Sequence, residues 1–180
     1  ALIRAAKENG LDVSCSVAIY NLCLTDDILG EFDTNHKLLP PLRESKDVEA
    51  LIQGLKDGTV DGVTSDHNPI DIENKKVEFD QALFGSIGIE HTFGILNQIT
   101  DTQTAVIALT RLKNRFGLEN RQIKPGSHAE LTIFNSDLKG KVRLNELQSK
   151  SKNSALIGLE TKGESLGIIR GSKHYWNESK

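Results

Sequence analysis

The sequence predicts an α/β chain with a parallel sheet, on three observations. Residues 13–20 form a mostly apolar run in which Val13, Val17 and Ile19 are β-branched; residues 48–56 carry a helical pattern; and residues 60–65 form a second short apolar run. Strand, loop, helix and strand in that order make the repeating unit of a parallel sheet, because parallel neighbours need a long crossover between them. The elements follow in turn. Leu2, Ile3, Ala6 and Leu11 give the opening residues a helix pattern that Glu8-Asn9-Gly10 stops. Residues 25–42, with Pro40-Pro41 and several Asp, Gly and Asn residues, read as a surface loop. Ser45-Lys46-Asp47 supplies a cap for the helix at 48–56, whose Val48, Leu51, Ile52 and Leu55 share a face, and Asp57-Gly58 ends it. Two further helices are expected at 87–99 and 102–116, the second closed by Gly117. From Ile123 the texture changes to a strand at 131–134, a Ser/Lys-rich connector at 149–154 and an alternating tail from Leu166. A boundary near residue 120 therefore separates a unit at 1–120 from one at 121–180.

Composition narrows the function classes. At 180 residues with 37% hydrophobic and 26% charged residues the chain can bury a core, which excludes collagen-like and wholly disordered readings. A net charge of −3 provides no basic field for a phosphate backbone, so nucleic acid is not an expected partner. No apolar run approaches the roughly 18 residues of a membrane span. Cys15 and Cys23 form no CxxC unit and suit a reducing compartment, so the expected location is the cytoplasm. The chain lacks Met and starts inside a helix pattern, which reads as a fragment or a processed chain.

The densest polar cluster at a strand end is Ser65-Asp66-His67-Asn68-Pro69. A carboxylate at the carboxyl end of a parallel strand stands where α/β barrels place catalytic groups, as a metal ligand or a general base. The alternative role for Asp66 is a cap or turn residue before the proline, and a solitary His67 suits a structural hydrogen bond. Phe84-Gly85-Ser86-Ile87-Gly88 puts two glycines three apart before a helix, fitting either an anion-binding backbone or a tight turn. His36, His91, His128 and His174 share no metal-ligand spacing and read as surface or capping residues.

Taken in series, these segments resemble the dihydroorotases, cyclic amide hydrolases of pyrimidine biosynthesis in the amidohydrolase superfamily. Phe32-Asp33-Thr34-Asn35-His36-Lys37 with Pro40-Pro41-Leu42-Arg43 is similar to the family's "YDTNFKxNPPLR". Leu55-Lys56-Asp57-Gly58-Thr59-Val60-Asp61 and Ser65-Asp66-His67-Asn68-Pro69 resemble "LKDGTIDxIxSDHAPH". Glu73, Lys75, Phe79 and the stretch from Ala82 to Glu90 resemble "EEKxxxFxxAPFGIIGLE", and Ser149-Lys150-Ser151-Lys152-Asn153-Ser154 resembles "SKSKNTPF". The "PPLR" and "SKSKN" matches favour this branch over the dihydropyrimidinases.

The resemblance implies the carboxy-terminal part of a (β/α)₈ TIM barrel of the metal-dependent hydrolase type, followed by strands of a small β-sandwich. It implies Zn in active relatives, with Asp66 at the metal-ligand and general-base position, and Arg43, His67 and Gly85 in substrate binding. Three departures oppose retained activity. Tyr20-Asn21-Leu22 stands where the family has His-His-Leu, and neither Tyr20 nor Asn21 replaces an imidazole ligand well. Leu39 and Ile70 replace a substrate-binding Asn and His. A complete barrel also needs about 250 residues, so the remaining family ligands would lie upstream. The expectation is a non-catalytic homologue with a structural or assembly role, needing no cofactor or metal of its own. The alternative is an enzyme active on dihydroorotate or another cyclic amide once completed by the missing amino-terminal half. Expected partners are a second copy or that missing half and, by family, aspartate transcarbamoylase or an active dihydroorotase.

Overall fold

A computed structural model of the chain describes residues 1–118 and 122–177. Helix α1 (Leu2–Glu8) opens it, stopped at Asn9 and by Gly10 at φ +77, where a side chain would be strained. It buries no residue and is held by polar bonds instead, Arg4 Nε to Thr59 Oγ1 at 3.1 Å and Lys7 Nζ to Asp61 Oδ1 at 2.7 Å.

Strand β1 (Ser16–Ala18) pairs in parallel with β2 (Gly62–Thr64), Val17 opposite Val63, so the parallel pairing expected from strand, loop, helix and strand is present. The strand expected over 13–20 is shorter than its apolar run. Ile19 still donates its N–H to Thr64 O at 3.0 Å but already has helical angles, and Tyr20 begins the short helix α2 (Tyr20–Cys23). Apolar content marked burial there, since residues 17–22 are all buried, and did not mark where the strand ends.

The crossover runs through two 3-10 turns, Asp26–Glu31 and Thr34–His36, to helix α3 (Ser45–Lys56). The surface loop expected here is partly interior, with His36, Leu38 and Leu42 buried. Ser45 does not cap the following helix but belongs to its first turn, because the Asp47 and Val48 N–H groups already reach Glu44 O. Beyond β2 come α4 (Thr92–Ile99) and α5 (Thr102–Thr110). The first is shorter than the expected 87–99 because Ile87 donates its N–H to Asn153 O at 2.9 Å, which keeps that stretch outside a helix. Asp101 caps α5 through Thr104 N–H at 2.9 Å, and a 3-10 turn, Arg111–Lys113, replaces the end of the expected helix.

A second sheet is antiparallel in the order β3 (Glu130–Lys141), β4 (Glu160–Arg170), β5 (Lys173–Trp176). The strand expected at 131–134 continues to Lys141 through register shifts after Ile133 and Asn135, which hide the alternation from a period-two reading. Helix α4 packs on β4: Asn97 Nδ2 donates to Lys162 O at 2.7 Å and Ser136 O at 2.9 Å, and Phe93 meets Phe134 edge-on at 4.8 Å. One core runs from Ile19, Leu22 and Ile95 to Val142, Leu147 and Leu156. The boundary expected near residue 120 lies outside the described residues. Among the described residues no helix is long and apolar enough to cross a membrane.

Candidate functional site at the carboxyl end of the parallel strands

Asp66 follows β2 with φ +42, one of two non-glycine residues with positive φ among the described ones. Aspartate tolerates this left-handed conformation better than most residues, at a cost of order 1–3 kcal/mol that neighbouring structure must offset. The Asp66 carboxylate is half-buried and has no hydrogen bond or ion pair among the described residues.

The next residue is tied down. His67 Nδ1 accepts the N–H groups of Gly88 at 3.3 Å and Ile89 at 3.4 Å, which assigns its ring proton to Nε2. Asn68 N–H donates to Ser86 O at 2.8 Å, closing the 66–68 turn onto the 84–88 turn. Gly85 sits at φ +133, where a Cβ would lie 2.5 Å from Asn68 Nδ2, so its glycine is required by both conformation and space. Of the expected substrate contacts, His67 and Gly85 are thus brought together.

Arg43 is not brought to them. It is exposed, its Nε lies 3.4 Å from Asp47 Oδ2 one turn into α3, and no bond joins it to the 66–70 segment. Leu39 is exposed, whereas Ile70 serves the fold through its backbone, donating to Asn153 Oδ1 at 3.1 Å and accepting Ser151 Oγ at 2.7 Å.

At the position where a histidine ligand is expected, both polar side chains are already used. Tyr20 is 1% exposed and donates its hydroxyl to Ser86 O at 2.8 Å. Burial pushes the phenol far above its ordinary 10, the negative Asp66 adding to the effect, so phenolate is not accessible as a donor. Asn21 is buried and gives Nδ2 to Pro41 O at 2.9 Å. Cys23 is likewise pushed by burial up to about 12 and is no thiolate near neutrality. Among the described residues no three His, Cys, Asp or Glu side chains gather as a metal site. The donor set at this end of the strands therefore does not fit zinc, which needs imidazole, thiolate or carboxylate groups converging on one point.

The segment expected to be a Ser/Lys connector is irregular chain, and it is also the keystone of the site. Asn153 is 5% exposed; its Nδ2 donates to Asn68 O at 3.1 Å and Gly85 O at 3.2 Å, while its Oδ1 accepts Ile70 N–H and Ser151 Oγ. Ser154 Oγ donates to Ile87 O at 3.0 Å, and fully buried Ser86 accepts Ala155 N–H at 2.8 Å. Composition says nothing of this; only the "SKSKN" resemblance singled the segment out. Among the described residues the buried imidazole nitrogens His36 Nδ1 and His91 Nε2 have no hydrogen-bond partner, and the burial of His36 corrects its surface reading.

No family model matches the chain. Its sequence is 37% identical over 187 residues, 99% of the chain, to a dihydroorotase of Thermoanaerobacter sp. (strain X514), and 39% identical over 183 residues to that of Desulforapulum autotrophicum. It spans 43% of the length of each, less than half of the curated relatives it matches. In structure it is similar to the L-hydantoinase of Arthrobacter aurescens, with TM-score 0.85 and 22% identity over 99% of this chain and 42% of that one. It is also similar to a chain described as the inactive dihydroorotase-like domain of a Chaetomium thermophilum CAD-like multifunctional protein, with TM-score 0.67 and 19% identity, covering 96% and 46% of the two. The fold is that of the TIM-barrel amidohydrolases, and over the part of their length that it spans the chain is homologous to the dihydroorotases.

Proposed function

We propose that the chain is a non-catalytic, dihydroorotase-like unit whose role is structural or in assembly. In this reading residues 1–120 are late β/α units at the carboxy-terminal end of an amidohydrolase barrel, and residues 121–180 contribute strands of a β-sandwich. The observation that carries it is the use of Tyr20 and Asn21 for the bonds to Ser86 O and Pro41 O, at the position where hydrolytic relatives need a histidine. Asp66 is kept at its strand end without a convergent partner set, so no hydrolytic step is derived for it. A neighbour described as an inactive dihydroorotase-like domain is a precedent for this loss. Further barrel strands, from the same protein or from another chain, complete it in this reading, because among the described residues the β1–β2 pair has no other parallel neighbour and its edges invite another strand.

The test is turnover of dihydroorotate by the wild type and by Tyr20→His, Asn21→His, Leu39→Asn and Ile70→His combined. None is expected from either, since a ligand set needs all its members and their supporting hydrogen bonds. Turnover by the quadruple variant alone in solution would overturn it. Sedimentation over a wide concentration range reads the assembly role: self-association or capture of the complementary half is expected, and a folded monomer at every concentration with either would refute it.

The second reading is an enzyme completed by an amino-terminal half. Asp66 favours it, a strained and unpaired carboxylate at the strand end. Hydrolysis of dihydroorotate on mixing the two halves, abolished by Asp66→Asn, would establish that reading.

A further inference from the structure

The chain contains two Glu-Phe-Asp tripeptides, residues 31–33 and 78–80, and the fold sets them side by side. The rings of Phe32 and Phe79 meet edge to face at 5.9 Å and 89°. Lys37 links them to a third ring: its Nζ stands 5.6 Å from the centre of Phe79 and 4.9 Å from that of Phe84. The ammonium is fixed there by Phe79 O at 2.8 Å and Asp80 O at 2.7 Å. The two segments are also joined through Thr34 Oγ1, which donates to Lys75 O at 2.6 Å, and Lys75 Nζ, which donates to Thr34 O at 2.8 Å, so their relative position is held by paired bonds.

This surface is apolar at its centre and negative at its rim. Phe32 is 71% exposed, and Leu83 and Phe84 are exposed beside it; a contiguous apolar patch with a polar rim is the mark of an interaction surface. In the segments that carry the rings, 31–37 and 71–84, all six carboxylates are exposed, and none makes an ion pair among the described residues. Four of them, in the two tripeptides, flank Phe32 and Phe79 directly. Asp33 does act on Lys75, but that ammonium is buried and bonded to Thr34 O. Lys37 is half-buried and given to its two carbonyls, which leaves Lys76 as the one exposed lysine of these segments. Six carboxylates against three lysines give the two segments a net charge of −3, which is that of the whole chain.

We propose that this surface docks a basic peptide segment of another protein, with an arginine stacked on the ring of Phe32. Lys37 already stands over Phe79 and Phe84, so these rings accept a cation, whereas among the described residues no cation lies over Phe32. A guanidinium offers a flat face to the ring and N–H donors to the Glu31 and Asp33 carboxylates beside it. Aliphatic neighbours of that arginine would cover Leu83 and Phe84, and a positive partner is complementary to a field that the segments leave uncompensated. Two copies of the chain joined through this face would set like charges together. The docking holds whether or not Asp66 retains any chemistry.

The test is an NMR titration of the full chain with acetyl-Arg-Leu-Arg-Leu-Arg-amide, with the same peptide carrying citrulline for arginine, and with tetramethylammonium chloride. Saturable binding of the arginine peptide is expected, with shifts centred on the amides of 31–37 and 78–84, and at least about tenfold weaker binding of the citrulline peptide, which keeps the shape without the charge. Phe32→Asn should weaken binding about two- to fivefold, the worth of an exposed cation–π contact. It should fold, because Phe32 is exposed at φ +53 and asparagine tolerates that left-handed backbone. Glu31→Gln combined with Glu78→Gln leaves the rings in place and should weaken binding while flattening its dependence on salt. The proposal is overturned by equal affinity for the arginine and citrulline peptides, by wild-type affinity in Phe32→Asn, by an unchanged salt dependence in the double variant, by shifts centred elsewhere, or by no saturation. Tetramethylammonium binding as tightly as the arginine peptide would replace it with a small-cation site, and a dimer in sedimentation that Phe32→Asn dissolves would replace it with self-association.

Discussion

Replacing His36 by phenylalanine should stabilise the protein. His36 is 9% exposed, and its Nδ1 is sealed from solvent with no hydrogen-bond partner. A buried polar atom left unmade costs about 1–3 kcal/mol. Phenylalanine has no such atom, and the resembling "YDTNFK" segment carries it at this place. Its larger ring needs slightly more room, and modest overpacking costs about 1 kcal/mol at the low end. The net expectation is a gain of up to about 2 kcal/mol, or a melting temperature higher by up to roughly 8 °C for a chain of this size. Urea unfolding measures it directly, as a rise in midpoint at unchanged slope. His36→Ala should instead lose stability, because it opens a cavity as well as removing the nitrogen. A loss of 1 kcal/mol or more in His36→Phe would show that the nitrogen is paired or hydrated, and the reasoning would fail.

Three further outcomes follow from the same bookkeeping of buried groups. Asn153→Ala leaves Ile70 N–H, Asn68 O and Gly85 O without their partner; a loss of about 3–5 kcal/mol is expected, with faster hydrogen exchange at residues 66–70 and 84–88, whereas a loss under about 1 kcal/mol would remove its keystone role. Burial depresses His91 below its ordinary 6.5 although Glu90, Glu146 and Glu164 oppose the shift. The unfolded chain then binds the proton more readily, so stability present above pH 6.5 is lost as the pH falls through the lower folded value; His91→Gln should flatten that stretch of the stability curve, and an unchanged curve would contradict the assignment. Lys75, 3% exposed and bonded to Thr34 O at 2.8 Å, is lowered by burial to about 8, Asp33 opposing and Lys37 assisting. Folded chains shed its proton first, so stability should rise between pH 8 and 10, a slope that Lys75→Met should abolish.

The parallel pairing and α3 were legible because each is written in local pattern, β-branched runs and a one-faced helix; the alternation from Leu166 marked extended chain but not its break at Gly171 into β4 and β5. The strand ends were not, since Ile19 and Tyr20 are as apolar as Val17 yet turn into a helix, and burial rather than conformation sets their composition. Asp66 could be singled out by its place after a strand. Arg43 could not be excluded, because a motif match places the backbone while its guanidinium is drawn to Asp47 on the next helical turn. The 149–154 segment is the irregular connector its composition suggests, but Ser151, Asn153 and Ser154 turn inward to backbone groups 67 to 85 residues away, and sequence periodicity carries no trace of such pairings. His36 was misread for the converse reason: a polar residue in a loop-like stretch is ordinarily exposed, and here it occupies an apolar position.

The polar groups of Tyr20 and Asn21 are committed to the fold and, among the described residues, leave Asp66 without companions for a metal. Elemental analysis of the purified chain after exhaustive dialysis tests it most directly. No stoichiometric zinc is expected, in the wild type and in Asp66→Ala alike. One tightly held equivalent per chain, lost in Asp66→Ala, would contradict it and reinstate a rebuilt metal site.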